Sequence, residues 1–159
     1  MGNCQRLRQL PRRLTAAMAL ITPINTSLCL EQLCASNFQK LLQLIPDLAA
    51  IKNAAVGVAP RHANLHLTVI DHSPYTLTVE LNHCFSQHLD GLLAPALRIR
   101  IYMDAQLAEV LSDNDRASVA RTFPDARQSR EIMHYKWRLN YFLQKWLDHC
   151  LGKNYRFTS

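Results

Sequence analysis

From Asp125 to Gly152 the chain reads DARQSREIMHYKWRLNYFLQKWLDHCLG, with Ile132, Tyr135, Leu139, Phe142, Leu143, Trp146, Leu147 and Cys150 spaced by three and four residues. That spacing lines all eight along one face at the helical period and predicts a long helix with a buried stripe. Asp125, after Pro124, offers an oxygen to the free N–H groups of a first turn, and Gly152 is the expected left-handed stop. An amphipathic helix of this length must bury its apolar stripe against other elements, so the remaining chain has to supply a second layer.

Part of that layer comes from the N-terminal half. Thr26 or Ser27 can cap a helix reaching about Ile45, with Leu30, Leu33, Cys34, Phe38, Leu41, Leu42 and Ile45 on one face and Pro46 as the stop. Residues 47–60 could hold a short further helix, broken by Gly57 and Pro60. After that the period falls to two. Leu65, Leu67 and Val69 alternate with polar positions, with one lapse at Ile70. Tyr75, Leu77, Val79 and Leu81 alternate next, beyond the turn signal Asp71-His72-Ser73-Pro74. Leu97, Ile99, Ile101 and Met103 follow, then a turn at Asp104-Ala105-Gln106 and a strand over Leu107 to Leu111; residues 118–123 are a further short candidate. The pattern predicts an α+β fold: a four- to five-stranded antiparallel sheet covered on one face by an N-terminal helix and a long C-terminal helix. Residues 1–26 read as a flexible basic extension, 27–152 as a single domain and 153–159 as a short tail.

The net charge of +6 is unevenly distributed. Residues 1–30 carry four arginines and no acid, 31–115 carry five bases against nine acids, and 116–159 carry nine bases against three acids. Nucleic acid is therefore a weak partner class, because sequence-independent binders cluster cations without acids between them. Five cysteines, Cys4, Cys29, Cys34, Cys84 and Cys150, lack any C-x-x-C pairing and read as reduced thiols in a cytoplasmic protein. No apolar run is long enough for a membrane span. His62, His66, His83, Cys84 and His88 match no zinc spacing, and only four glycines leave no phosphate loop or dinucleotide fingerprint, so neither metal nor cofactor is expected.

Several strings resemble one family. Leu33-Cys34 with Asn37-Phe38, the segment RIRIYMDAQLAEV from Arg98 to Val110, Phe123-Pro124-Asp125, and Lys136 with Asn140, Phe142-Leu143, Trp146-Leu147 and Cys150-Leu151 are similar to the bacterial YqiB-like proteins of unknown function. The likeness runs over about residues 27–151 and marks Tyr102, Asp104, Glu109, Pro124, Lys136, Asn140 and Trp146 as family-motif positions. It implies a small cytoplasmic bacterial protein and brings no activity with it. Where the family pattern has Tyr-Pro-Asn this chain has Phe123-Pro124-Asp125, and where a relative has an acidic pair before the lysine it has His134-Tyr135.

Two functional readings follow. Opposite the predicted buried stripe lie Arg130, His134, Trp137, Arg138, Tyr141 and Lys145, aromatics set between cations, as at interaction surfaces. They support a non-catalytic binding or adaptor domain with a protein partner. The alternative is a small enzyme using Asp104 and Glu109 as an acid pair, against which stands a turn role for Asp104 and an ion pair of Glu109 with Arg98 or Arg100 across the ladder. Asn140, in mid-helix, is expected to bond something specific.

Overall fold

The alternating stretches do pair into a sheet, and it is larger than the pattern predicted. The computed structural model describes residues 26–84, 96–111 and 126–158. Helix α1 spans Thr26–Leu44 and is followed by a 3-10 turn at Leu48–Ala50; then come β1 (Ala54–Val58), β2 (Asn64–His72), β3 (Thr76–Cys84), β4 (Leu97–Tyr102), β5 (Leu107–Leu111), helix α2 (Ala126–Leu151) and β6 (Arg156–Thr158). All neighbours are antiparallel, in the order β5-β4-β3-β2-β1-β6. The fold is α+β, a five-strand meander to which the C-terminal strand adds a sixth.

Two expectations are corrected here. Residues 54–58 form β1, where a short helix had been an option, because Ala55 and Gly57 face the interior alternately with Val56 and Val58. Residues 153–158 are no tail, since β6 pairs with β1 through Val56↔Thr158, Gly57↔Phe157 and Val58↔Arg156. Gly57 makes that pairing possible: a Cβ there would come within 2.6 Å of Phe157 Cζ, so only a residue without a side chain lets the ring lie across the strand. The candidate strand at 118–123 lies outside the described residues.

The lapse at Ile70 has a structural cause. The β2–β3 register shifts between Val69 and Asp71, so Ile70 is the extra residue of a bulge and is exposed, while pairing resumes at Asp71↔Thr78 and His72↔Leu77. Across the inner face run Leu67↔Leu81↔Leu97 and Val79↔Ile99↔Val110, which pack with Leu41, Ile45, Leu48, Leu143 and Leu147 into one core.

The two helices lie side by side and run in the same direction, as the contacts Asn37 with Asn140, Ser36 with Gln144 and Lys40 with Asp148 require. Helix α1 ends at Leu44, one residue short of the predicted limit at Ile45 and two before Pro46. At the end of α2 the left-handed residue is Asn154, with φ 54°, and Gly152 does not take that role. Bonds from Gly152 N to Asp148 O and from Lys153 N to Cys150 O carry the chain one turn further before it reverses. Asparagine tolerates this conformation better than other side chains.

Candidate functional site on the C-terminal helix

At 100° per residue, the buried arc of α2 runs from Trp137 round to Trp146 and includes Asn140. Trp137 and Gln144 flank it on the side of α1, and Leu143, Trp146 and Cys150 flank it on the side of the sheet. The buried arc is therefore rotated by roughly 60° from the stripe that apolarity alone predicts. Polar groups explain the rotation. Asn140 Oδ1 accepts the Val110 N–H at 3.0 Å, Asn140 Nδ2 donates to Lys136 O at 3.0 Å, and Asn37 Nδ2 donates to Asn140 O at 3.1 Å. Val110 lies on β5, the edge strand next to β4 only. The asparagine amide thus satisfies an edge N–H that no strand bonds, and it locks α2 to the sheet at one height.

Beside this node Lys136 Nζ meets Glu109 Oε1 at 2.8 Å. Glu109 takes its ion pair from α2: of the expected partners, Arg98 reaches Glu80 at 3.7 Å, and Arg100, directly opposite Glu109 in the ladder, is exposed. The Cys34 thiol on α1 is pushed up to about 12 by burial and then by the charge of Glu109, with Lys136 acting the other way. A groove of about 390 Å³ lies between the end of α1 and β6, and another of about 260 Å³ lies beside Tyr135 and Leu139. Neither is lined by Asp104 or Glu109. Asp104 is exposed in the β4–β5 turn and Glu109 is held by Lys136, so the two carboxylates have no shared enclosure in which to divide acid and base roles.

A second polar group lies under the other end of α2. Trp146 Nε1 donates to His83 Nδ1 at 3.1 Å, so the neutral ring carries its proton on Nε2, which faces the Tyr155 hydroxyl at 3.4 Å and Cys150 Sγ at 3.9 Å. Tyr155 in turn donates to Ala63 O at 2.7 Å. The pair of Cys150 and His83 is no activated nucleophile: the imidazole presents a proton to the sulfur, Cys150 is fully buried, and burial pushes its thiol up to about 11. Cys29, Cys34 and Cys150 are free thiols. Burial, and then the nearby His149, holds His83 below its usual 6.5.

That depression has a sign. The unfolded chain takes up the proton first as pH falls through about 6.5, so the folded state loses stability from there down to the lower folded value. Denaturant midpoints compared between pH 7.5 and pH 5 are expected to fall more for the native chain than for His83→Gln. Equal falls would remove His83 as the source.

The predicted outer face divides. Arg138 and Lys145 are exposed, as expected. His134 and Tyr141 are half-buried, and the side chain of Arg130 lies outside the described residues, as does Pro124. Trp137 is the correction: it is 7% exposed, level with the Cys29–Cys34 turn of α1 by the helix offset, and stacked on Tyr141 with centroids 5.0 Å apart and planes at 11°. Lys145 Nζ sits 5.3 Å over the Tyr141 ring, so the aromatic row is capped by a cation at its outer end. Among the motif positions, Glu109, Lys136, Asn140 and Trp146 all serve the seat of α2, and Tyr102 is half-buried on β4. Among the described residues no three His, Cys, Asp or Glu side chains converge as metal ligands; His88 and the side chain of Cys84 lie outside them.

What the apolar pattern placed inside is partly outside. Ile132 is 36% exposed, Tyr135 43% and Phe142 39%, with half-buried Leu139 between them. Their spacing of three, four and three is that of a helix-packing seam. It was hidden because the same residues also satisfy the core pattern; the signal that could have exposed it is Asn140, whose bonding demand pulls the buried centre toward itself.

The chain matches the model of a protein family described as "Protein of unknown function (DUF1249)" over residues 40–156. It is similar to the "Uncharacterized protein YqiB" of Escherichia coli K12, 28% identical over 124 residues that cover 76% of this chain and 85% of the relative. The same figures hold for the proteins of that description from strains O6:H1 and O157:H7. No solved structure matches the chain. Among the described residues no helix is long and apolar enough to cross a membrane.

Proposed function

Because the chain belongs to the DUF1249 family of proteins of unknown function, a membership that supplies no activity, we propose from its geometry that it is a non-catalytic cytoplasmic binding or adaptor domain working through the outer face of α2. The observation that carries this reading is the exposed seam of Ile132, Tyr135 and Phe142, bordered by Arg138 and Lys145 and opening onto the groove beside Leu97, Leu111 and Leu139. Large apolar side chains held outward on a rigid helix, next to cations, are the usual anchors of protein interfaces. The motif residues support the same reading differently, since Asn140, Lys136 and Glu109 fix the helix on the sheet and so fix the presentation of its outer face. The contact surface is thereby moved from Trp137 and His134 to Ile132, Tyr135, Arg138, Phe142 and Lys145.

The test is a photo-cross-linking residue placed at Tyr135 or Phe142 in the native host cell, with the exposed Arg61 as control position. Discrete adducts from Tyr135 and Phe142, with none from Arg61, are expected. Absence of adducts at both helix positions would remove the surface, and with it the proposal.

A further inference from the structure

The seam has a direction, and the direction selects its occupant. Along α2 the seam runs Ile132, Tyr135, Leu139, Phe142, with Leu139 half-buried and the other three exposed, and alternates aliphatic and aromatic at the 3-4-3 spacing by which two helices interlock. Glu131 stands exposed at one end of the row, Arg138 in the middle and Lys145 at the other end. From these residues we infer that the partner on this face is a second copy of the chain, its α2 lying antiparallel to the first; the inference rests on the binding surface proposed above.

The antiparallel arrangement follows from what each orientation brings together. With the copies reversed, Ile132 of one chain meets Phe142 of its partner and Tyr135 meets Leu139, so each layer sets an aliphatic side chain against a ring, and each contact occurs twice by the two-fold symmetry. In the same arrangement Glu131 lies near Lys145 of the other copy at both ends, and only the central Arg138 faces its own kind. A parallel pair would instead set Glu131 against Glu131, Arg138 against Arg138 and Lys145 against Lys145, three like-charge contacts in one short seam. The groove of about 260 Å³ beside Tyr135 and Leu139, floored by Leu97 and Leu111, lies next to the seam where the facing Leu139 and Tyr135 approach. A single helix face is smaller than the roughly 800 Å² per partner of a stable complex, so the dimer is reversible and its population rises with concentration.

Sedimentation velocity of the full chain over a dilution series reads this directly. The expected result is a monomer–dimer equilibrium that Phe142→Glu weakens by about thirtyfold or more, as loss of a buried anchor does. Glu131→Lys and Lys145→Glu each weaken it by a few-fold, and the double exchange restores it, because reversing both charges recreates the pairing only in the antiparallel orientation. The charge variants lie on exposed positions and remain informative if Phe142→Glu fails to fold. A chain that stays monomeric at every concentration overturns the inference, as does a dimer indifferent to Phe142→Glu and to the charge changes. In either case adducts to other proteins from Tyr135 leave the binding surface standing, so the two proposals fail separately.

Discussion

Trp137→Ala is expected to destabilise the fold by about 3 to 5 kcal/mol, close to the loss from Trp146→Ala, although the two residues look opposite in sequence. Trp137 is buried on the α1-facing side of α2 by its helical position, with its face on Tyr141, and Trp146 closes the core under α2 while donating to His83. Removing either ring leaves a cavity between elements that cannot close, since the helices are tied at Asn37–Asn140 and at Ser36–Gln144. The measurement is a pair of denaturant melts with matched slopes. Trp146→Phe separates the two contributions at its site: it keeps most of the volume and loses the bond to His83, for about 1 kcal/mol. A Trp137 variant as stable as the native chain would show that the ring is dispensable to the packing of α1 on α2.

Asn140→Leu is expected to cost about 2 to 3 kcal/mol, even though it exchanges a polar residue in a buried position for an apolar one of similar size. The Val110 N–H is left with no acceptor at the edge of β5, and the leucine cannot replace the amide. Burial of an unpartnered amide costs more than the added apolar contact returns. Hydrogen exchange gives the more specific signature: the Val110 amide should lose protection well beyond that of Ile99 or Ile101 on the adjoining strand. Unchanged protection at Val110 would mean that its N–H has another acceptor and that Asn140 is not the clasp. Asn37 lies in the same interface with its Oδ1 lacking a hydrogen-bond partner among the described residues, so the node already bears one unmet acceptor and has little tolerance for a second unmet group.

The sheet and both helices were legible because period two and period 3.6 are local properties, written in runs such as Leu77-Val79-Leu81 and Leu33-Phe38-Leu41. Even the fault at Ile70 was visible as a lapse, and only pairing could show that it is a bulge. Strands β1 and β6 were missed for a different reason. Ala-Ala-Val-Gly-Val is too rich in small residues and Arg-Phe-Thr too short to show a period; β1 becomes a strand by pairing along β2, and β6 by pairing on the other side of β1.

The face of α2 is where sequence and tertiary structure part. Apolarity places Ile132, Tyr135 and Phe142 inside and Trp137 outside, yet the folded chain reverses both assignments around a buried asparagine. By itself the sequence determined that a long amphipathic helix runs through Asn140 and that something specific must answer that residue, since a mid-helix amide is unfavourable without a partner. Only the tertiary structure decided which arc of that helix is buried. A hydrophobic stripe can rotate by roughly 60° and still bury apolar surface, whereas the edge N–H of Val110, the carboxylate of Glu109 and the amide of Asn37 can be met in one rotation alone.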